Sequence, residues 1–350
     1  MTAVRSRGCG AGSRPFQLSC TVAGEGRPAY GCPSALGRYR CRAGVPDREV
    51  RPFRLRCVQG RPYGAWSAVG GAGCRGCLYL VVSVSDEVLV LDPDGTGPGR
   101  VRVGWAPRCL APIPGTRFLL VSNSGSDSLS VVDTVEAREV ARVGVGREPG
   151  AIAVSPDGCS AVVCERGAGT AAVVDLSGLA GGCSVQVADR IVLGSVHVQP
   201  QAVALSGSHT VFACARLDVL PVADLAGGRV DGGVRLPVAE AAPAGIALTG
   251  EGGYALVTLE RAGAFAVVDL LEWTVTRVIV LGVGPRGIVI DPDDATVYCA
   301  LAGQGALAVV HLDGVDLSNL DGTPQFEEIP VGAGPSFVAL AYVDGPDSAR

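Results

Sequence analysis

Any chemistry in this chain has to come from three histidines, 13 cysteines, scattered carboxylates, and arginine, which supplies all 29 basic side chains. The absence of lysine removes the phosphate-binding G-x-x-x-x-G-K loop. No G-x-S-x-G elbow accompanies a triad. One C-x-x-C is present, Cys74 to Cys77. A structural zinc site needs a second pair, but Cys41 and Cys57 stand alone and the first histidine is His197. Covalent haem attachment wants a histidine where Leu78 stands. The expectation is therefore no catalytic set, no metal site and no cofactor. The open alternative is a Ca²⁺-type ion held by Glu148, Glu240 and backbone carbonyls.

The charge divides the chain. Residues 1–76 hold 13 Arg against Glu25, Asp47 and Glu49, a net of +10, and seven of the cysteines lie at or before Cys77. Residues 77–350 hold 16 Arg against 31 acids, a net of −15, so the two parts sum to −5. The first part has no sustained period of 2 or 3.6. It reads as a disordered tail or a misassigned leader, with a functional basic arm as the remaining alternative. Arginine would attract polyanions, but no aromatic interleaving points to specific nucleic-acid binding. The acidic remainder predicts little non-specific nucleic-acid affinity. The last residues, 344–350, read as a tail.

Beyond residue 77 the sequence repeats. Six prolines, at 107, 149, 200, 243, 285 and 335, are spaced by 42, 51, 43, 42 and 50 residues, and short, largely apolar segments follow them. Examples are Gly150-Ala151-Ile152-Ala153-Val154 and Ala244-Gly245-Ile246-Ala247-Leu248. A second block follows at a fixed offset, with two β-rich runs around a polar or Gly-rich turn, as in residues 161–175 and 255–269. A fourth run closes each unit, giving four antiparallel strands per repeat. With 50 Gly and 23 Pro, long helices are disfavoured. No apolar run is long enough to span a membrane.

Such units are the blades of a β-propeller. The all-β chain is expected to form six four-stranded antiparallel blades over residues 77–343. The segment after Pro335 should supply the strand that the blade at 78–104 lacks, so that the C-terminal strand joins the N-terminal blade and closes the ring. Closure removes the exposed apolar faces of the end blades. Seven blades, with the extra one drawn from residues 45–75, is the alternative. A closed ring has no long open edge and is expected to be a monomer.

Val121 to Asp133, VSNSGSDSLSVVD, and the linked Gly144 to Gly158 stretch, GVGREPGAIAVSPDG, resemble the YVTN-type β-propeller repeat. The tetrapeptide here is Leu120-Val121-Ser122-Asn123, a departure from the motif that names the family. The resemblance covers about residues 78–342. It implies the propeller fold but no single function, because such propellers include surface-layer proteins, enzymes and binding modules.

Repeated and unrepeated polar residues carry different meanings. Asp92, Asp133, Asp175, Asp224 and Asp269 recur at the end of the third strand, with His311 in that column of the last copy. They are expected to cap the following turn. Cys164, Cys214 and Cys299 recur in second strands and should be buried apolar thiols. Function should sit where one copy differs from the others. Three residues before the proline, four copies have glycine, whereas His197 and Glu240 occupy that place in two adjacent copies. Together with Trp105, Arg108, Arg147, Glu148, Gln199, Gln201 and Arg286, they are the candidate ligand-binding residues around the channel mouth. The expected function is a non-catalytic scaffold that binds a small polar molecule or protein partner there. The alternative is a metal-assisted enzyme, a lactonase-like hydrolase or lyase, at the central channel. Unpaired strand cysteines favour a cytoplasmic location; export, with its signal hidden by a misassigned start, is the alternative.

Overall fold

The computed structural model describes residues 2–6, 51–54, 65–70, 78–91, 99–179, 184–291, 294–312, 315, 317, 324–331, 334–336, 338 and 340–342. The Cys74/Cys77 pair, Asp92, most of residues 1–76 and the 344–350 tail lie outside them.

Six four-stranded antiparallel sheets follow one another along the chain, each an up-and-down meander. Their first strands are Ala65–Gly70, Pro107–Pro112, Pro149–Val154, Pro200–Ser206, Pro243–Leu248 and Pro285–Ile290. Each of these touches the first strand of the next sheet, from sheet 1 through sheet 6. The sheets therefore fan outward from a shared axis. Small residues such as Ala151, Ala202 and Gly245 let the first strands crowd there.

Burial explains the continuous apolar runs. Second and third strands, such as Phe118–Asn123 and Ser128–Asp133, are buried at every position, whereas the fourth strand Gln186–Val192 is largely exposed. Neighbouring residues on one strand serve opposite cores. Val163 packs with Phe118, Leu120 and Val131 of sheet 2, while Val162 and Cys164 pack with Phe212 and Cys214 of sheet 4. The same arrangement joins Leu256, Phe265 and Val267 to Val297, Cys299 and Val310 between sheets 5 and 6. Both faces of each inner sheet are covered, so strands two and three lose the polar alternation of a half-solvated sheet. Each core is shared only by nearest neighbours, as in other repeat architectures.

The carboxylates that end the third strands are turn caps. Asp133 Oδ1 accepts from the N–H groups of Val135 (2.9 Å) and Glu136 (3.0 Å), and Asp269 Oδ1 from those of Leu271 (2.8 Å) and Glu272 (3.0 Å). Asp175 and Asp224 cap their turns in the same way.

The chain ends differ from the sequence expectation. The first strand of sheet 1 is Ala65–Gly70, paired antiparallel with Leu78–Val82, so this sheet begins before residue 77 and is completed from its own side. The C-terminal strand Leu340–Tyr342 instead pairs in parallel with Thr2–Ser6, which in turn pairs antiparallel with Arg51–Arg54. A hairpin partner a few residues away closes a far shorter loop than one from the other end of the chain, and loop entropy favours it. Among the described residues, no helix is long and apolar enough to cross a membrane.

Cys164, Cys214 and Cys299 are buried free thiols, and Cys159 is exposed. Burial pushes the Cys214 thiol up to about 12 and raises those of Cys164 and Cys299 well above the ordinary range. Native alkylation followed by peptide mass mapping is expected to modify Cys159 and spare the other three until the protein unfolds. A thiol raised in the folded state contributes stability that is intact below its unfolded value, near pH 9, and is lost as pH rises towards 12. Denaturant titrations above pH 9 should therefore show falling stability, with a slope of up to about 1.4 kcal/mol per pH unit from each such thiol. Cys214→Ala should flatten that slope.

Candidate ligand site at the axial mouth

One end of the fan is built from two kinds of segment. One is the loop that enters each first strand. The other is the hairpin turn between strands two and three of the same sheet. The residue before the proline is left-handed in every described copy: Ala106 (φ 47°), Glu148 (52°), Gln199 (52°), Ala242 (52°), Gly284 (69°) and Gly334 (63°). That conformation costs a non-glycine residue about 1–2 kcal/mol. It aims the residue's carbonyl at the hairpin turn. The N–H groups of Ser124, Arg166, Ala215, Glu260 and Ala302 donate to the carbonyls of Ala106, Glu148, Gln199, Ala242 and Gly284 at 2.8–3.1 Å. Glu148 and Gln199 therefore hold their positions through the backbone, whatever their side chains do.

The preceding sheet grips the same loop. Asp86 Oδ1 accepts from the N–H of Ala106 (2.8 Å), Asp127 Oδ1 from that of Glu148 (2.9 Å), and Asp218 Oδ1 from that of Ala241 (3.3 Å). The backbone carbonyls of Asp86, Asp127, Gly169, Asp218, Gly263 and Gly305 accept from Val103, Val145, Leu193, Leu236, Leu281 and Val331. These bonds set the alignment of the loops. The residues that follow are Gly104, Gly146, Gly194, Pro237, Gly282 and Gly332; Gly332 itself lies outside the described residues. His197 and Glu240 do not replace the glycine. They lie in two loops that are each three residues longer, and counting back from the proline put them in the wrong column.

The glycine column answers to close approach. At Gly104 a Cβ would lie 2.6 Å from Asn123 Cγ, and at Gly146 it would lie 2.5 Å from Glu165 Cδ. Glu165 is fully buried. One oxygen accepts from the Gly146 N–H (2.6 Å) and from Arg190 Nε (3.2 Å), and the other from Thr170 Oγ1 (2.5 Å). This buried carboxylate anchors the loop beneath the mouth, and the repeat reading did not single it out.

At the same end of the first strands, the residues that follow the prolines are Arg108, Gly150, Gln201, Ala244, Arg286 and Ser336. Arg108 of sheet 2 and Arg286 of sheet 6 lie close enough for the charge of one to act on the other. Arg166, in the hairpin turn of sheet 3, completes the group. A Cβ at Gly150 would stand 3.0 Å from Arg166 Cδ and 3.8 Å from Arg108 Cδ, so the two side chains converge over that glycine. Burial, and then the repulsion of Arg166, brings Arg108 down to about 10, against opposing pulls from Cys109 and Glu148 that each outweigh the repulsion of Arg286. Arg286 donates from Nε (2.9 Å) and Nη2 (2.7 Å) to one oxygen of Glu260.

Of the residues read from the sequence, the structure thus brings together Arg108, Glu148 and Arg286. Arg147 is exposed beside Glu148. Trp105 is 69% exposed, with its N–H on Ser126 Oγ. His197 is exposed, and Gln199 and Gln201 are half-buried. Glu240 is exposed and paired with Arg261 (2.8 Å). Sequence reasoning missed Arg166 and Glu260. A signal existed, because both are charged in a turn column that carries Ser124, Ala215 and Ala302 elsewhere. Among the described residues, no three His, Cys, Asp or Glu side chains form a metal-binding group.

The fold is that of a β-propeller. Solved structures similar to this chain include Kuenenia stuttgartiensis hydrazine synthase, at 21% identity and a TM-score of 0.62, covering 75% of this chain and 85% of that one. A catalytically inactive virginiamycin B lyase from Staphylococcus aureus with quinupristin matches at 11% identity and a TM-score of 0.65, covering 81% and 90%. The Swd1 (Cps50) β-propeller domain of Myceliophteria thermophila matches at 13% and 0.53, covering 65% and 72%. At these identities the likeness extends to the fold alone. No family model and no curated protein matches the chain.

Two stability outcomes follow. Gly146→Ala should cost about 1–3 kcal/mol by driving a methyl into Glu165. Gly144→Ala, at a position with no atom near its Cβ, should change stability by less than about 1 kcal/mol; denaturant unfolding of the pair distinguishes close approach from generic glycine effects.

Proposed function

We propose that this chain is a closed, YVTN-type β-propeller that acts as a non-catalytic binding module, holding a small polar ligand at the axial mouth. Two contacts support closure. Val338 packs with Tyr298, Leu307 and Val309 of sheet 6, and Leu340–Tyr342 touches Ala65–Gly70 of sheet 1. The C-terminal segment thereby bridges the last and first sheets, and its three-stranded sheet occupies a seventh position in the ring.

The observation that carries the binding reading is the convergence of polar and charged residues on one end of an otherwise apolar, small-residue axis. Arg108, Gln201 and Arg286 occupy first-strand positions where other copies have Gly150 and Ala244. Bulky polar groups at such positions do nothing for sheet packing, and they supply the few convergent polar contacts of a ligand pocket.

The test is a thermal-shift screen of small polar metabolites against the wild type and Gln201→Trp, which fills the mouth. Stabilising compounds should lose their effect in that variant and keep it in Leu271→Ser, a change at an exposed turn between strands three and four of sheet 5. Compounds that stabilise both variants equally would overturn a mouth site.

A further inference from the structure

We propose that the mouth end is a docking face for a second copy of this chain, the two copies meeting mouth to mouth about a two-fold axis. This goes beyond the ligand reading above and does not rest on it.

Two asymmetries single out that end. Of the ten large apolar side chains exposed among the described residues, six lie there: Val84, Trp105, Val192, Val196, Val280 and Val283. Net charge, by contrast, avoids it. Counted over the described entry loops, the hairpin turns and the residues that follow the prolines, six arginines stand against six carboxylates. None of the net −15 of residues 77–350 therefore resides in these segments. Two acidic bodies repel over most of their surfaces, and this is the face on which they can approach. Protein–protein contacts favour tryptophan and arginine, and this end presents both.

The order of the loops selects the occupant. Taken along the fan from sheet 1 to sheet 6, the principal exposed side chains of the entry loops are Trp105; Arg147 and Glu148; Val196 beside His197; Glu240; and Val283. Glu240 carries its own arginine, Arg261 in the hairpin turn of sheet 5, at 2.8 Å. The series runs apolar, charged pair, apolar, charged pair, apolar, and it has the same order read from either end. A two-fold axis across the fan reverses the order of the loops in the facing copy. In one register Val196 then meets its own counterpart, and Trp105 meets Val283 of the second copy. Arg147 and Glu148 meet Glu240 and Arg261 of the second copy. The last two contacts each occur twice, as an isologous interface requires. A surface that served an unrelated partner would not have to match its own reverse.

The loops are also ready to dock. Left-handed residues and backbone bonds fix each one from both sides, so little ordering cost attends association. The expectation of a monomer concerned sheet edges, whereas this contact is made by loop tips.

The experiment is sedimentation equilibrium of the full chain from about 1 μM to about 1 mM. A monomer–dimer equilibrium is expected, with no larger species. Trp105→Arg should raise the dissociation constant by about thirtyfold or more, since it removes an anchor that occurs twice. Arg147→Glu and Glu240→Arg should each raise it by about tenfold, by setting like charges against one another. A chain carrying both changes should return to within about threefold of wild type, because the exchanged charges face each other across the axis. Leu271→Arg, at an exposed turn on the opposite end, should change it by less than about twofold. The melting temperature of each variant verifies its fold. A chain that stays monomeric throughout, a dimer indifferent to Trp105→Arg, or one that the charge exchange fails to restore overturns the proposal. None of these outcomes touches the ligand reading, which the Gln201→Trp screen decides separately.

Discussion

The structure depends on a two-sided grip around each loop that enters a first strand. On one side, a left-handed residue before the proline turns its carbonyl to the hairpin of its own sheet. On the other, the turn residue of the preceding sheet accepts from the loop's N–H groups. A register shift opens each of these strands, as between Pro149 and Ile152, and it also opens Ala65–Gly70, which has no proline, so the irregularity belongs to the position and a residue with no N–H is tolerated there. The strain of the left-handed residue is tolerated because partners on both sides fix it. What results is a series of rigid loop tips whose side chains are free to vary. Variation at those tips has little effect on folding, so they are where a propeller can acquire a function.

Most of the scaffold was legible from the sequence, because each copy repeats the same physical need. Asp133, Asp175, Asp224 and Asp269 recur because every third strand ends in a turn with N–H groups to satisfy. Cys164, Cys214 and Cys299 recur because a second strand is buried on both faces. Repetition fails where copies differ in length. His197 and Glu240 looked like substitutions for glycine only because two loops are three residues longer. The hydrogen bonds to Leu193 and Leu236, which fix the alignment, are backbone bonds that leave no mark on residue type. The partner of Leu78–Val82 was hidden for another reason. Ala65–Gly70 has no proline at its start and little of the apolar pattern of the other first strands, so only its proximity to the next strand identifies it.

The mouth was half legible. Arg108 and Arg286 could be found because they follow prolines in a column that elsewhere carries small residues. Arg166 and Glu260 could not be found that way, because they belong to a different segment of the sheet and meet the first group only when the hairpin folds over the loop. Glu165 shows how such a meeting is held. Its buried carboxylate takes a loop N–H and Arg190 on one oxygen and the Thr170 hydroxyl on the other, so the turn that carries Arg166 is anchored from below. Arg190 is half exposed while Glu165 is fully buried, so losing its partners would leave a desolvated carboxylate, a cost larger than the pair itself contributes. The carboxylate therefore serves to fix position more than to add stability.

That distinction also separates the two kinds of charge at this end of the molecule. Glu165 is fully buried and satisfied, and the glycine opposite it is small because it has to be. Arg108 is held differently: burial and then Arg166 work against its charge and bring it down to about 10, while Cys109 and Glu148 pull the other way, so its setting is a balance struck among neighbours that separate segments of the chain bring to one place.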